Sequence, residues 1–186
     1  MFTATTISQI SVGLLGIVSV RGGCWVTPDS NGVVNITNGT ETIPDSAFNG
    51  CDTLKVVNIP ASVQNIVSYS FYYAKFLEKI NFEEGSRLEV IGDSAFRGTS
   101  KKLTTITFPA NLKEIRTHAF DSSEELQEII FEEGSQLKVI GSWVSATPHP
   151  FHILRLFFAY HSAANLNCFL RIIRPSLPRR FKIPKI

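Results

Sequence analysis

The sequence predicts an α/β repeat fold: a solenoid with a parallel sheet of about five short strands and short helical or 3₁₀ turns on the opposite side. Two series of short blocks carry that prediction. IPDSAF (43–48), IVSYSF (66–71), IGDSAF (91–96) and IRTHAF (115–120) begin 23, 25 and 24 residues apart. In phase with them run LKVVNI (54–59), LEKINF (77–82), LTTITF (103–108) and LQEIIF (126–131), each fitting L-x-x-[VI]-x-[IF]. A period of this size marks supersecondary units that cannot bury an apolar face alone and stack to make one core.

The elements follow in chain order. From Ile7 to Val20 the chain is mostly apolar or small and carries no charge. That length suits a signal-peptide core and is too short for a membrane span, although no Lys or Arg precedes it. Residues 1–24 are therefore either a leader or an N-terminal cap over the first coil. A half-copy, VVNI (33–36), leads the series.

In each L-x-x-[VI]-x-[IF] block the last positions alternate apolar and variable, as in a strand with one buried face. Pro60 and Pro109, which lack an N–H, close their strands, while Gly85 and Gly134 turn the chain in the two longer EEGS linkers. Val63, Leu88, Leu112 and Leu137 return it to the core. A helical turn, started by Asp45, Ser68 or Asp93, then delivers the phenylalanine. Phe48, Phe71, Phe96 and Phe120 should form one buried row, each preceded by a small residue (Ala47, Ser70, Ala95, Ala119) that lets neighbouring coils approach.

The motif I-x-x-x-A-F followed by L-x-x-I-x-[IF]-P resembles the leucine-rich repeats of the BspA-like type. The resemblance spans residues 33–143 and implies a leucine-rich-repeat solenoid in a non-catalytic surface protein that binds host-surface or extracellular-matrix proteins. There are departures. Only Cys51 keeps the family's Gly-Cys after the phenylalanine, where Ala74, Thr99 and Ser123 stand in the other coils. The asparagine ladder of other leucine-rich repeats is absent. The fifth copy, IGSWVS (140–145), puts Ser145 where phenylalanine is due, so the solenoid is expected to end there without a sixth coil.

Residues 1–133 hold all 16 acidic and 10 of the 18 basic residues, and residues 134–186 hold the other 8 basic residues with no acid. The basic tail, 144–186, is thus read as a poorly ordered appendage, a C-terminal cap, or a segment that meets anionic membrane or nucleic acid. Its apolar stretches are interrupted by Arg155, Arg171 and Arg174 and fall short of the ~20 apolar residues of a membrane span.

Little in the sequence points to chemistry. Cys51 reads as a buried free thiol, with Cys24 and Cys168 outside the repeats and no CxxC. The pairs Glu83–Glu84 and Glu132–Glu133 recur through repetition, in exposed turns. His118 falls on an exposed turn position, and HPFH (149–152) lacks the further ligands of a closed zinc site. No phosphate-binding, dinucleotide-binding or nucleophile-elbow motif is present. The chain is therefore read as a non-enzyme with no cofactor, metal or small-molecule substrate.

What remains is a surface. Val56, Asn58, Lys79, Asn81, Thr105, Thr107, Glu128 and Ile130 occupy the outward strand positions and form the candidate binding face for a protein partner. Asn35-Ile-Thr and Asn38-Gly-Thr match the N-glycosylation sequon. Asn35 should project from the same face, whereas Asn38 should lie in the turn beyond it, where a glycan leaves the face free. The leading expectation is a secreted or cell-surface adhesion module; the alternative is an intracellular scaffold whose basic tail contacts membrane or nucleic acid.

Overall fold

The computed structural model describes residues 23–99 and 102–142, together with the backbone of one further strand at 155–158. The candidate leader and most of the basic tail lie outside the described residues.

The strands in chain order are β1 (Val33–Asn35), β2 (Thr42–Ile43), β3 (Val56–Ile59), β4 (Asn65–Ile66), β5 (Lys79–Phe82), β6 (Val90–Ile91), β7 (Thr105–Phe108), β8 (Glu114–Ile115), β9 (Glu128–Phe131), β10 (Val139–Ile140) and β11 (Arg155–Phe158). Each coil gives one longer strand to the outward face and one two-residue strand to a second sheet, and all pairing is parallel. The short strands make one five-stranded ladder, β2-β4-β6-β8-β10. The longer strands make two ladders of three, β1-β3-β5 and β7-β9-β11.

The division between those two ladders coincides with an irregularity in the repeat. Val56 pairs with Lys79, and Thr105 with Glu128, both 23 residues on. From Lys79 to Thr105 the interval is 26, because the long EEGSRL linker is followed by one extra residue between Phe96 and Leu103. The short-strand ladder tolerates the long linker, since Asn65 still pairs with Val90. The residue added after Phe96 falls where the other ladder divides, although β9 and β11 pair across a longer interval, from Glu128 to Arg155.

The side opposite the outward face departs from the expected helical turns: among the described residues it carries tight turns and no helix. The backbone hydrogen bonds explain this. In the first coil the N–H groups of Ser46, Phe48 and Gly50 donate to Ser68, Ser70 and Tyr72 of the next coil, whereas those of Ala47, Asn49 and Cys51 donate three residues back, to Pro44, Ser46 and Phe48. Tyr69, Phe71 and Tyr73, then Ser94, Phe96 and Gly98, repeat the inter-coil bonds. This alternation needs a left-handed residue every fourth position. Ser46, Tyr69, Ser94 and His118 supply the first, with φ between 54° and 58°, and Gly50, Tyr73, Gly98 and Ser122 the second. Right-handed turns interrupted that often cannot propagate into a helix.

The core is the expected phenylalanine row. Phe48, Phe71, Phe96 and Phe120 are fully buried and stack nearly parallel, with centroids 5.1, 4.9 and 5.4 Å apart. Where the residue before the ring is Ser70, its hydroxyl donates to Val67 O (2.6 Å). Thr99 and Ser123, in place of Cys51, both donate to Phe96 O. These buried hydroxyls are satisfied, so they cost the core little.

Both ends differ from the sequence reading. Cys51 is not a free thiol: it is disulfide-bonded to Cys24, with Cα atoms 5.2 Å apart, within the range such a bridge requires. Among the described residues no further coil stacks on the outer side of the first, and the position that alanine, threonine or serine fills elsewhere there meets a second sulfur. The N–H of Trp25 donates to Ala47 O (2.7 Å), and its indole meets Phe48 edge-on at 6.2 Å, closing the row. At the other end β11 pairs with β9, Arg155 opposite Glu128 and Phe158 opposite Phe131. The tail thus adds a strand beyond the expected end of the solenoid.

Candidate interaction surface

Alternation along the longer strands sets the outward face. Val57, Ile59, Ile80, Ile106, Phe108, Ile129 and Phe131 are buried. Between them Val56, Asn58, Lys79 and Asn81 face outward from β3 and β5, and Thr105, Thr107, Glu128 and Ile130 from β7 and β9, all exposed or half-buried. The hydrogen-bonded ladder divides between β5 and β7, so these eight residues fall into two adjoining patches; β5 and β7 remain neighbours, with the Phe82 and Phe108 ring centres 5.7 Å apart. In each patch they sit directly opposite one another: Asn58 beside Asn81, Thr107 beside Ile130.

The first patch has internal order. Asn58 Nδ2 donates to Asn35 Oδ1 (2.7 Å) and Asn81 Nδ2 donates to Asn58 Oδ1 (2.7 Å), so three amides form a ladder along the face. An asparagine ladder is therefore present, on the outward side. It borders an open groove of about 320 Å³ at the C-terminal ends of β1, β3 and β5. Phe82, half-buried, is the apolar side chain this groove exposes, over the buried Ile36, Ile59 and Pro60, and Asn38 lines it together with the ladder. Asn38, in the turn after β1, thus lines the groove together with Asn35.

A second exposed feature lies away from the sheet. Tyr69, Tyr73 and Phe76 are exposed, and Tyr72 is half-buried, all in one coil. Tyr72 touches Tyr69 and Tyr73 edge-on, at 5.4 and 4.6 Å, and Lys75 Nζ sits 5.9 Å from the Tyr73 ring centre. Tyr69 and Tyr73 occupy the two left-handed positions (φ 58° and 52°) that other coils fill with Ser, His or Gly. A bulky side chain there is strained. A Cβ on Gly98 would lie 3.2 Å from the Tyr73 ring, so that glycine makes room for it. The sequence signal was YSFYY itself, three tyrosines where the repeat elsewhere holds small or polar residues.

The paired carboxylates prove structural on their inner members. Glu83 Oε2 accepts the N–H of Ala61 (2.8 Å) and Glu132 Oε2 that of Ala110 (3.2 Å), each tying its turn to the preceding coil. Lys102 Nζ pairs with Glu78 (2.7 Å) and Lys113 Nζ with Glu89 (2.6 Å), again between neighbouring coils. The Lys102 hydrogen bond holds the Glu78 carboxyl below its ordinary range. His118 lies 3.6 Å from Asp121, which Arg97 also approaches at 3.0 Å. No group of three or more His, Cys, Asp or Glu converges among the described residues.

Comparison with known proteins fits the geometry. No curated protein matches the chain. Solved structures of similar form include the pneumococcal vaccine antigen PcpA (23% identity, TM-score 0.44), covering 60% of this chain and 31% of that one. Also similar is a leucine-rich cell surface protein from Faecalibacterium prausnitzii (16% identity, TM-score 0.39), covering 69% of this chain and 48% of that one. A leucine-rich repeat protein from T. pallidum is 20% identical (TM-score 0.42), covering 76% of this chain and 82% of that one. The chain thus spans well under two thirds of the first two. The model of the BspA type leucine rich repeat region matches residues 30–145 with 6 copies. With the motif, the coil and the ladders in agreement over most of its length, this chain belongs to the BspA-type leucine-rich repeat family.

Proposed function

We propose that this protein is a non-catalytic interaction module of the cell surface or extracellular space, binding a protein partner through the outward sheet face. The observation that carries the reading is that face. Its side chains stand in fixed register on a stacked, buried core, so a partner that docks there orders little that is not already ordered. Family membership implies the partner class, a host-surface or extracellular-matrix protein. The Cys24–Cys51 disulfide supports an oxidising compartment over an intracellular scaffold. It also requires that any leader be cleaved before Cys24, inside the 1–24 segment. On a glycosylating secretory route, Asn35 and Asn38 are the acceptors.

The test is surface plasmon resonance of the purified chain on immobilised fibronectin, laminin and collagen. The wild type should bind at least one of them. Thr105→Lys with Thr107→Lys should weaken that binding at least about tenfold, or ~1.4 kcal/mol. Tyr73→Gly, a change to the residue of two other coils, should leave it unchanged. Loss with Tyr73→Gly alone would move the binding surface to the tyrosine turn. No binding to any of the three would remove the matrix-protein reading.

A further inference from the structure

We infer that the groove beside the asparagine ladder binds a saccharide. The inference rests on the outward face being a binding surface and names a ligand class for its first patch.

The groove's chemistry selects the class. Its lining contains no Lys, Arg or His, so it offers an anion nothing. Its one carboxylate, Glu83, already accepts the Ala61 N–H, so it is no ready-made cation site. A purely apolar ligand would cover the ladder amides and leave their remaining groups unpaired, at a cost of about 1–3 kcal/mol for each. An asparagine amide carries two N–H donors and an oxygen with two lone pairs. Asn58 spends one N–H on Asn35 and one lone pair on Asn81, which leaves one donor and one acceptor on a side chain whose rotamer is already fixed. Asn35 Nδ2 and Asn81 Oδ1, at the two ends of the ladder, make no bond to the other rungs. Side by side along the face, the rungs repeat at the strand spacing of ~4.8 Å.

A sugar hydroxyl both donates and accepts, and a pyranose ring adds an apolar C–H face. The groove pairs the same two characters: the amide rail and the half-buried ring of Phe82. Its volume of about 320 Å³ is at the small end of ligand sites, room for one or two rings. Amides locked before binding lose little entropy when a ligand arrives. A cell-wall or matrix polysaccharide and the glycan of a glycoprotein present the same hydroxyl chemistry.

The test uses the full chain from a bacterial host, so that Asn35 and Asn38 carry no glycan of their own. Side-chain amide resonances of Asn35, Asn58 and Asn81 are followed by NMR during titration with maltose, cellobiose, lactose, mannobiose and chitobiose. A high-mannose glycoprotein, intact and deglycosylated, forms a separate arm. At least one disaccharide should produce saturable shifts at all three residues. Asn58→Leu, which interrupts the ladder, and Asn38→Ala, an exposed change that leaves the ladder intact, should each weaken binding at least fivefold. Binding of the intact glycoprotein but not its deglycosylated form would assign the source to protein-borne glycans; a response to disaccharides alone would assign it to free polysaccharide. No saturable shift with any probe, or shifts that persist unchanged in both variants, would overturn the inference. If the wild type nonetheless binds a matrix protein, only the saccharide assignment falls.

Discussion

Phe96→Ala should destabilise the chain by about 3–5 kcal/mol, measured as a drop in urea midpoint at unchanged slope. Phe96 has no exposed surface and lies between two rings almost parallel to it, Phe71 at 4.9 Å and Phe120 at 5.4 Å. The cost is set by how far the surroundings can close on the space left behind. Here they cannot close far. Phe71 N–H donates to Ala95 O, and Phe96 N–H to Ala119 O, both at 2.8 Å, so the coil spacing is held by backbone on either side of the missing ring. A cost below ~1 kcal/mol would mean that the rings do not form a row. Phe48→Ala should cost less, because its outer neighbour is the edge of Trp25, which can shift inward.

Removing the disulfide should be the other large effect. Cys24→Ser with Cys51→Ala should lower stability by about 3.5 kcal/mol, the loop-closure entropy for a separation of 27 residues. Alanine at 51 copies Ala74, which is fully buried at the same position of the next coil, so packing loss contributes little. The bridge also holds Trp25 over Phe48, and losing it opens the row at its first ring. Thermal unfolding with and without reductant is the check. Reduction should lower the melting temperature of the wild type and leave the double variant unmoved. A wild type indifferent to reductant would show that Cys24 and Cys51 are not joined.

What was legible in the sequence was whatever repeats as a hydrophobic requirement. Ile, Leu and Phe at fixed offsets define the coil, and Phe48, Phe71, Phe96 and Phe120 could be named as a row before any coordinates. Features that depend on neighbouring coils were harder to read. Ser46, Tyr69, Ser94 and His118 give no glycine signal for a left-handed residue. Their conformation follows from the alternation of inter-coil and turn hydrogen bonds, and so the turns were read as helical. The asparagine ladder had a signal, identical residues at 35, 58 and 81, but the position was classed as variable because Thr107 and Ile130 follow. Cys24 lies outside the repeat, so nothing in the period points to its partner.

The extra strand was half hidden. ILRLFF (153–158) is the L-x-x-[VI]-x-[IF] block with Ile for Leu and Leu for the branched residue, 27 residues after LQEIIF. Ser145, where phenylalanine is due, interrupts the motif ahead of this copy. The paired carboxylates show the opposite case. Glu83 and Glu132 were recognised as products of repetition, and their hydrogen bonds to Ala61 and Ala110 supply the structural role that repetition implied.

Each coil is stacked on the next through both its strands and its phenylalanine turns, and residue-resolved amide hydrogen exchange reads the two contributions separately. The Phe71 and Phe96 amides sit in turns and are bonded across coils, so they should exchange only on global unfolding, as slowly as Val57 and Ile106 in the paired strands. Fast exchange at Phe71 and Phe96, with Val57 and Ile106 protected, would contradict this stacking: the strands would pair while the turns hung free.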